Sequence, residues 1–181
     1  MTVKKVSIES KSIKASKTSK PEKPKKISTI EIEESLARYF NFKVNVIVPN
    51  ISWGLGVHEC DIFVIRQSNY AIEVEIKISL SDLKAESKKG HTHSSTKIRE
   101  FYYAIPNDLL DSCIEHIPPH AGILTCERNK YNDIVKTNIY RKAKINTKAR
   151  KLTDKEVLKA CHLGTMRIWS LKRKIIGLLA K

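Results

Sequence analysis

Residues 58–79 read HECDIFVIRQSNYAIEVEIKIS. Two runs rich in Ile, Val and Phe flank a polar turn, Arg66-Gln67-Ser68-Asn69, which is the pattern of a β-hairpin. Side chains alternate across a strand, so Glu59, Asp61 and Phe63 share one face of the first run. In the second run Ala71, Glu73, Glu75 and Lys77 share a face, and Ile72, Val74, Ile76 and Ile78 take the other. The aliphatic stripe packs on a core and fixes the opposite face. The pleat then brings an Asp, a Glu and a Lys together.

That trio suits phosphodiester hydrolysis. Water is a weak nucleophile, and negative charge builds on the phosphate as it attacks. Two carboxylates, Asp61 and Glu75, can hold Mg²⁺ (or Mn²⁺), a hard cation that prefers oxygen ligands and offsets that charge. Lys77, two residues beyond Glu75 on the same face, can orient the nucleophile or stabilise the transition state. The carbonyl of Ile76 lies between them as a further candidate ligand. A salt-bridge cluster on a solvated sheet face is the plainer alternative.

Asp61 followed by Glu75-Ile76-Lys77 resembles the D…(D/E)-x-K signature of the PD-(D/E)XK nuclease superfamily. The wider text from Ser28 to Cys126, with WGLGVHECDIFVI, YAIEVEIKISLSDLKAESKK and EFYYAIP, is similar to its bacterial DNA-repair branch, the MmcB-like proteins. Cys60 stands where the signature's name has Pro, at a position that is not a ligand. The resemblance implies a restriction-endonuclease-like α/β fold, a mixed sheet flanked by helices. It also implies a Mg²⁺-dependent deoxyribonuclease acting in DNA repair, recombination or processing. In that superfamily a Glu of the first helix often joins the site, which singles out Glu33 at the border of that helix's inward face. A nucleic-acid-binding module with the same fold and no turnover is the alternative, and a basic assembly protein is a third. Both carboxylates and the Lys speak for catalysis, because a pure binder gains from neutral or basic residues at 61 and 75.

The chain has 181 residues, 41% of them hydrophobic, and a net charge of +15. That charge predicts a polyanionic partner, and DNA fits better than a membrane, since no run approaches the ~18 apolar residues of a span. MTVKKVSIESKSIK lacks the apolar core of a secretory signal. Cys60, Cys113, Cys126 and Cys161 show no paired spacing, which fits a reducing cytoplasm; a DNA partner would place the protein on the nucleoid. Zinc held by His58, Cys60, His91 and His93 is a sharper alternative, but His-x-Cys and His-x-His are not zinc spacings.

Three zones follow. Residues 1–27 hold nine lysines against Glu9 and Glu22, a net charge of +7, and predict a disordered arm. Residues 28–140 form the nuclease-like domain, and 141–181 a basic helical extension packed on it. Within the domain the pattern predicts a helix from Ser28 or Thr29 to Phe40 and a strand over Phe42–Val48. A loop follows around Pro49, Asn50 and Trp53, then the hairpin. Next come a helix after Ser79, a strand over Glu100–Ile105, a helix over 108–117 and a strand over Ala121–Cys126. Lys84, Lys88, Lys89, His91, His93 and Lys97 follow directly on the strand of Glu75, where they can grip backbone phosphates. In the extension a helix runs from Thr153 to about His162, Gly164 breaks it, and Met166–Leu179 forms a last helix packed through Trp169, Ile175 and Leu179.

Overall fold

The first helix starts where the sequence places a cap. In the computed structural model, which describes residues 25–52, 54–88 and 95–180, α1 spans Thr29–Tyr39 behind Ser28. The Glu31 carboxylate accepts from both the N–H and the hydroxyl of Ser28, at 2.9 and 2.7 Å. The expected arm lies almost wholly outside the described residues, as do Trp53, Lys89, His91, His93 and the side chain of Lys88.

Six strands form one sheet in chain order: β1 (Val46–Ile51), β2 (Cys60–Ile65), β3 (Ala71–Ile76), β4 (Ile98–Pro106), β5 (Gly122–Arg128) and β6 (Val135–Arg141). The β1–β2, β2–β3 and β5–β6 pairs are antiparallel, and β3–β4 and β4–β5 are parallel. The result is a mixed α/β sheet with helices on both faces. Asn69, at φ 62°, closes the predicted hairpin turn, where its N–H donates to the Arg66 carbonyl at 2.8 Å.

Both faces of the sheet are covered. Ile32 and Leu36 of α1 pack with Ile62, Val64, Ile72, Val74 and Ile76 on one side. Helix α2 (Leu80–Lys88) and the final helix α4 (Asp154–Leu179) cover the other, where Leu83, Ala160 and Leu163 meet Phe63, Ile65, Phe101 and Tyr103. Every residue of β3 is therefore buried, as expected for a central strand with a parallel neighbour. The charged face of β3 is consequently sealed from solvent, while Asp61 on β2 is half-buried.

Four expectations change. The first strand begins four residues later than Phe42 and runs through Pro49 and Asn50. Asn41, at φ 56°, turns the chain after α1, so Phe42 and Val44 stay exposed. Pro49 is tolerated because β1 is an edge strand with one side unpaired. The expected helix over 108–117 is instead three short turns, Asn107–Leu109, α3 (Leu110–Cys113) and Ile114–His116. There Ser112 donates its hydroxyl back to the Leu109 carbonyl at 2.9 Å, which competes with helix hydrogen bonds. Strand β6 is an addition to the expected elements, and in it Val135 and Thr137 alternate with exposed Lys136.

The fourth change concerns Gly164, which does not break the last helix. Helix α4 is continuous for 26 residues, opened by Thr153 and Glu156 as a capping box. A Cβ at Gly164 would sit 3.6 Å from Val48 Cγ2, so the glycine marks where α4 lies close on β1. That distance is an ordinary contact. Gly164→Ala is therefore expected to raise stability by about 0.5–1 kcal/mol through better helix propensity. Chemical denaturation measures it, and a loss of stability would mean the contact is tighter than it stands. Beyond Arg167 the helix leaves the sheet, so Trp169, Ile175 and Leu179 are exposed rather than packed.

Candidate active site

The hairpin register assembles the site. Phe63 pairs with Glu73 and Ile62 with Val74, so one further step sets Asp61 opposite Glu75. Asp61 Oδ2 accepts the Ile76 N–H at 2.7 Å, which ties the aspartate to the neighbouring strand. Lys77 Nζ donates to Glu75 Oε2 at 3.0 Å. Glu73, Glu75 and Lys77 are only 1%, 5% and 5% exposed. This rules out the solvated salt-bridge cluster, since a solvated face does not bury three charged side chains. Isolated, such burial is costly.

Glu75 Oε1 is buried and accepts no hydrogen bond. Burial is the chief cause that pushes the Glu75 carboxyl up to about 7, with Asp61 and Glu73 adding to it and Lys77 opposing. The Cys60 thiol is driven far above its usual range, first by burial and then by Glu73, Glu75, Asp61 and Glu59. Negative charge therefore concentrates at this end of β2 and β3, and Cys60 is no thiolate ligand there.

The three glutamates of α1 have different fates. Glu31 serves the cap and pairs with Arg128 at 2.9 Å, while Glu34 pairs with Arg38 at 2.7 Å. Glu33 is left facing the sheet edge, where Asn50 Nδ2 donates to its Oε1 at 3.4 Å. Burial raises its carboxyl, Asn50 counters, and Asp61 raises it further, so Glu33 stands within electrostatic reach of the site. Asn50 was read as part of a loop. It occupies a left-handed position (φ 53°) on β1, one step from the Ile51–Cys60 pair, beside Asp61. A Pro-Asn pair on an edge strand was the available signal.

A divalent cation fits these residues in one respect that the geometry displays: an orphaned buried carboxylate oxygen beside a second carboxylate. Among the described residues no group of three or more His, Cys, Asp or Glu is placed to hold a metal. Carboxylate oxygens are the donor type that Mg²⁺ prefers, an ion that keeps several waters, and they do not make the closed tetrahedral set of a structural zinc.

The phosphate-gripping row is only partly described. Lys84 is exposed on α2. Lys97 stands elsewhere: its ammonium donates to the Leu55 carbonyl and pairs with Glu156 of α4 at 3.0 Å. It thus ties the loop before β2 to the last helix and does not belong to an open basic row.

The raised Glu75 carboxyl has a consequence for stability. Between about pH 4.5 and 7 the folded protein keeps a proton on Glu75 that the unfolded chain has released. Metal-free protein should lose that contribution as pH rises through the window, with no further loss above it. The check is melting temperature at pH 5 and pH 8 for the parent and Glu75→Gln. The parent should fall relative to the variant, and Mg²⁺ or Mn²⁺ should restore the parent alone. A constant difference between the two proteins would contradict the assignment.

No protein-family model matches the sequence, and no curated protein matches it. Among solved structures, a protein of unknown function from Silicibacter pomeroyi is similar in fold, with a TM-score of 0.57 and 18% sequence identity. The likeness covers 78% of this chain and 88% of that one. Among the described residues no helix is long and apolar enough to cross a membrane.

Proposed function

We propose that the chain is a Mg²⁺-dependent DNA nuclease of the restriction-endonuclease-like, PD-(D/E)XK type, acting on the nucleoid in DNA repair, recombination or processing. The observation that carries the reading is the buried Glu75–Lys77 pair beside Asp61, with one Glu75 oxygen left without a partner. The order of elements agrees with what the resemblance implies: a helix, the motif hairpin, a helix directly after, and a further strand.

Asp61 and Glu75 would hold the cation, and Glu33 would support it from α1. A bound Mg²⁺ would supply positive charge at the scissile phosphate and a more acidic water. Lys77, held by Glu75, keeps its ammonium on the same side and orients the attacking water. The Asp61–Ile76 hydrogen bond fixes the aspartate, so little reorganisation accompanies the reaction.

The deciding experiment is incubation of pure protein with labelled duplex, single-stranded and branched DNA, with and without Mg²⁺ or Mn²⁺. Metal-dependent cleavage of any of these supports the reading. Binding of DNA and metal with no cleavage would favour the binding-module alternative.

Charge outside the site predicts how DNA is held. Deleting residues 1–27 should weaken binding at low salt and flatten the slope of log K against log salt by ~0.9 per lost duplex phosphate contact. Lys84→Ala should weaken all sequences about equally, because phosphates carry no sequence information. Fluorescence anisotropy across a salt series measures both, and an unchanged slope would make the arm a bystander.

A further inference from the structure

Helix α4 carries its apolar pattern past the point where the domain stops covering it. Ala160 and Leu163 are buried, and Gly164 lies on Val48 of β1. On the same line of the helix follow Ile168, Leu171, Ile175 and Leu178, at spacings of three, four and three. All four are exposed, Leu178 by 72%. Ile at the first and Leu at the fourth position of successive heptads is the seam of a two-stranded coiled coil. Trp169 and Ile176, also exposed, form the next row round.

The flanks of that seam carry one sign of charge. Arg167 and Lys174 border one side and Lys172 the other, and no Asp or Glu follows Glu156 in the chain. We propose that this projecting half of α4 docks a helix of another protein, one with an aliphatic seam and Asp or Glu on both flanks.

Two other occupants fit less well. A second copy would set Arg167, Lys172 and Lys174 against their own kind, and like charges at these positions select against self-pairing. A flat anionic bilayer would have to approach the side of the helix on which the domain itself stands, since the exposed seam continues the face that packs on β1. A slender helix fits beside the domain edge where a plane does not. Arg167 is already engaged at that corner, donating to the Asn50 carbonyl and lying 3.4 Å from Ser52 Oγ.

The test uses the full chain and two designed helical peptides with identical Ile/Leu seams, one with Glu and one with Lys at the flanking positions. Binding by calorimetry should favour the Glu peptide by about a hundredfold, because opposite-charge flanks attract and like ones repel. Leu171→Glu with Ile175→Glu should lose at least ~tenfold of that affinity by burying charge in the seam. Lys172→Glu with Lys174→Glu should reverse the preference between the peptides. All four positions lie on the projecting half of the helix, so melting temperatures should hold, which separates docking from misfolding.

Equal affinity for both peptides, or a preference that survives charge reversal, would overturn the proposal. So would a concentration-dependent dimer in analytical ultracentrifugation that the Leu171→Glu, Ile175→Glu variant abolishes. Vesicles of phosphatidylglycerol that bind the parent but not this variant, with no peptide bound, would assign the face to lipid instead.

Discussion

Lys77→Met is expected to lower single-turnover DNA cleavage by about 10²–10³-fold while metal binding survives or tightens. The lysine is no ligand. Its ammonium sits 3.0 Å from Glu75 Oε2 and competes with any cation for that carboxylate. Methionine keeps the buried stem and removes the charge, which limits damage to packing. The measurement belongs at pH 8.5, because Lys77 also opposes the rise of the Glu75 carboxyl, and that group must be ionised to bind metal. Asp61→Asn should behave differently. It keeps the shape but removes a charge that the cation needs, so metal affinity and cleavage fall together. DNA binding without metal should persist in both variants and improve in Asp61→Asn, where a charge repelling phosphate is gone. Calorimetric titration with Mg²⁺ or Mn²⁺, beside single-turnover assays, separates the two patterns. Robust metal-dependent cleavage by both variants would falsify the site.

The largest expected loss of stability lies far from that chemistry, at Gly122. It pairs with Tyr102 across β4 and β5. A Cβ there would fall 2.3 Å from Cδ1 and Cε1 of the Tyr102 ring and 2.7 Å from the Ala143 backbone nitrogen. The ring cannot swing away freely, since its hydroxyl donates to Glu100 Oε2 at 2.9 Å and the residue is buried. Gly122→Ala should therefore cost about 3 kcal/mol, or roughly 6–12 °C in melting temperature for a domain of this size. Thermal melts of this variant beside Gly164→Ala make the comparison internal. The same methyl group is predicted to harm one site and help the other, and a similar sign at both would refute the packing argument.

The contrast between these glycines shows what the sequence can and cannot reveal. The hairpin was legible because its alternation, its turn residues and its charged positions all agree, and β2 and β3 fall within two residues of the reading. The placement of Glu33 at the helix border was legible from helical spacing alone. Burial of Glu73, Glu75 and Lys77 was not, since it depends on α2 and α4 covering that face, and contacts between distant segments leave no local periodicity. Gly164 was misread for a related reason. A glycine in a helix reads as a stop unless the partner it approaches is known, and Val48 lies more than a hundred residues earlier. Strand β6 is hard to read because Lys136 and Arg141 draw attention to charge, although the alternation of Val135, Thr137 and Ile139 is present.

Strand order also bears on how the domain is made. Each strand pairs with its neighbour in the chain, so the sheet can assemble progressively, with short connections in the antiparallel pairs and longer crossovers to close for β3–β4 and β4–β5. The Asp61–Glu75 encounter comes early in that sequence, within one hairpin, while both carboxylates are still hydrated. Their mutual repulsion becomes costly only when the face is sealed, and α4, which returns to β1 from more than a hundred residues later, is synthesised after all six strands. A chain halted before Thr153 would have every strand yet leave Val48, Leu55 and Phe63 under-covered. Such a species is the one to look for as a kinetic intermediate, by pulsed hydrogen exchange, with β3 protected before β1.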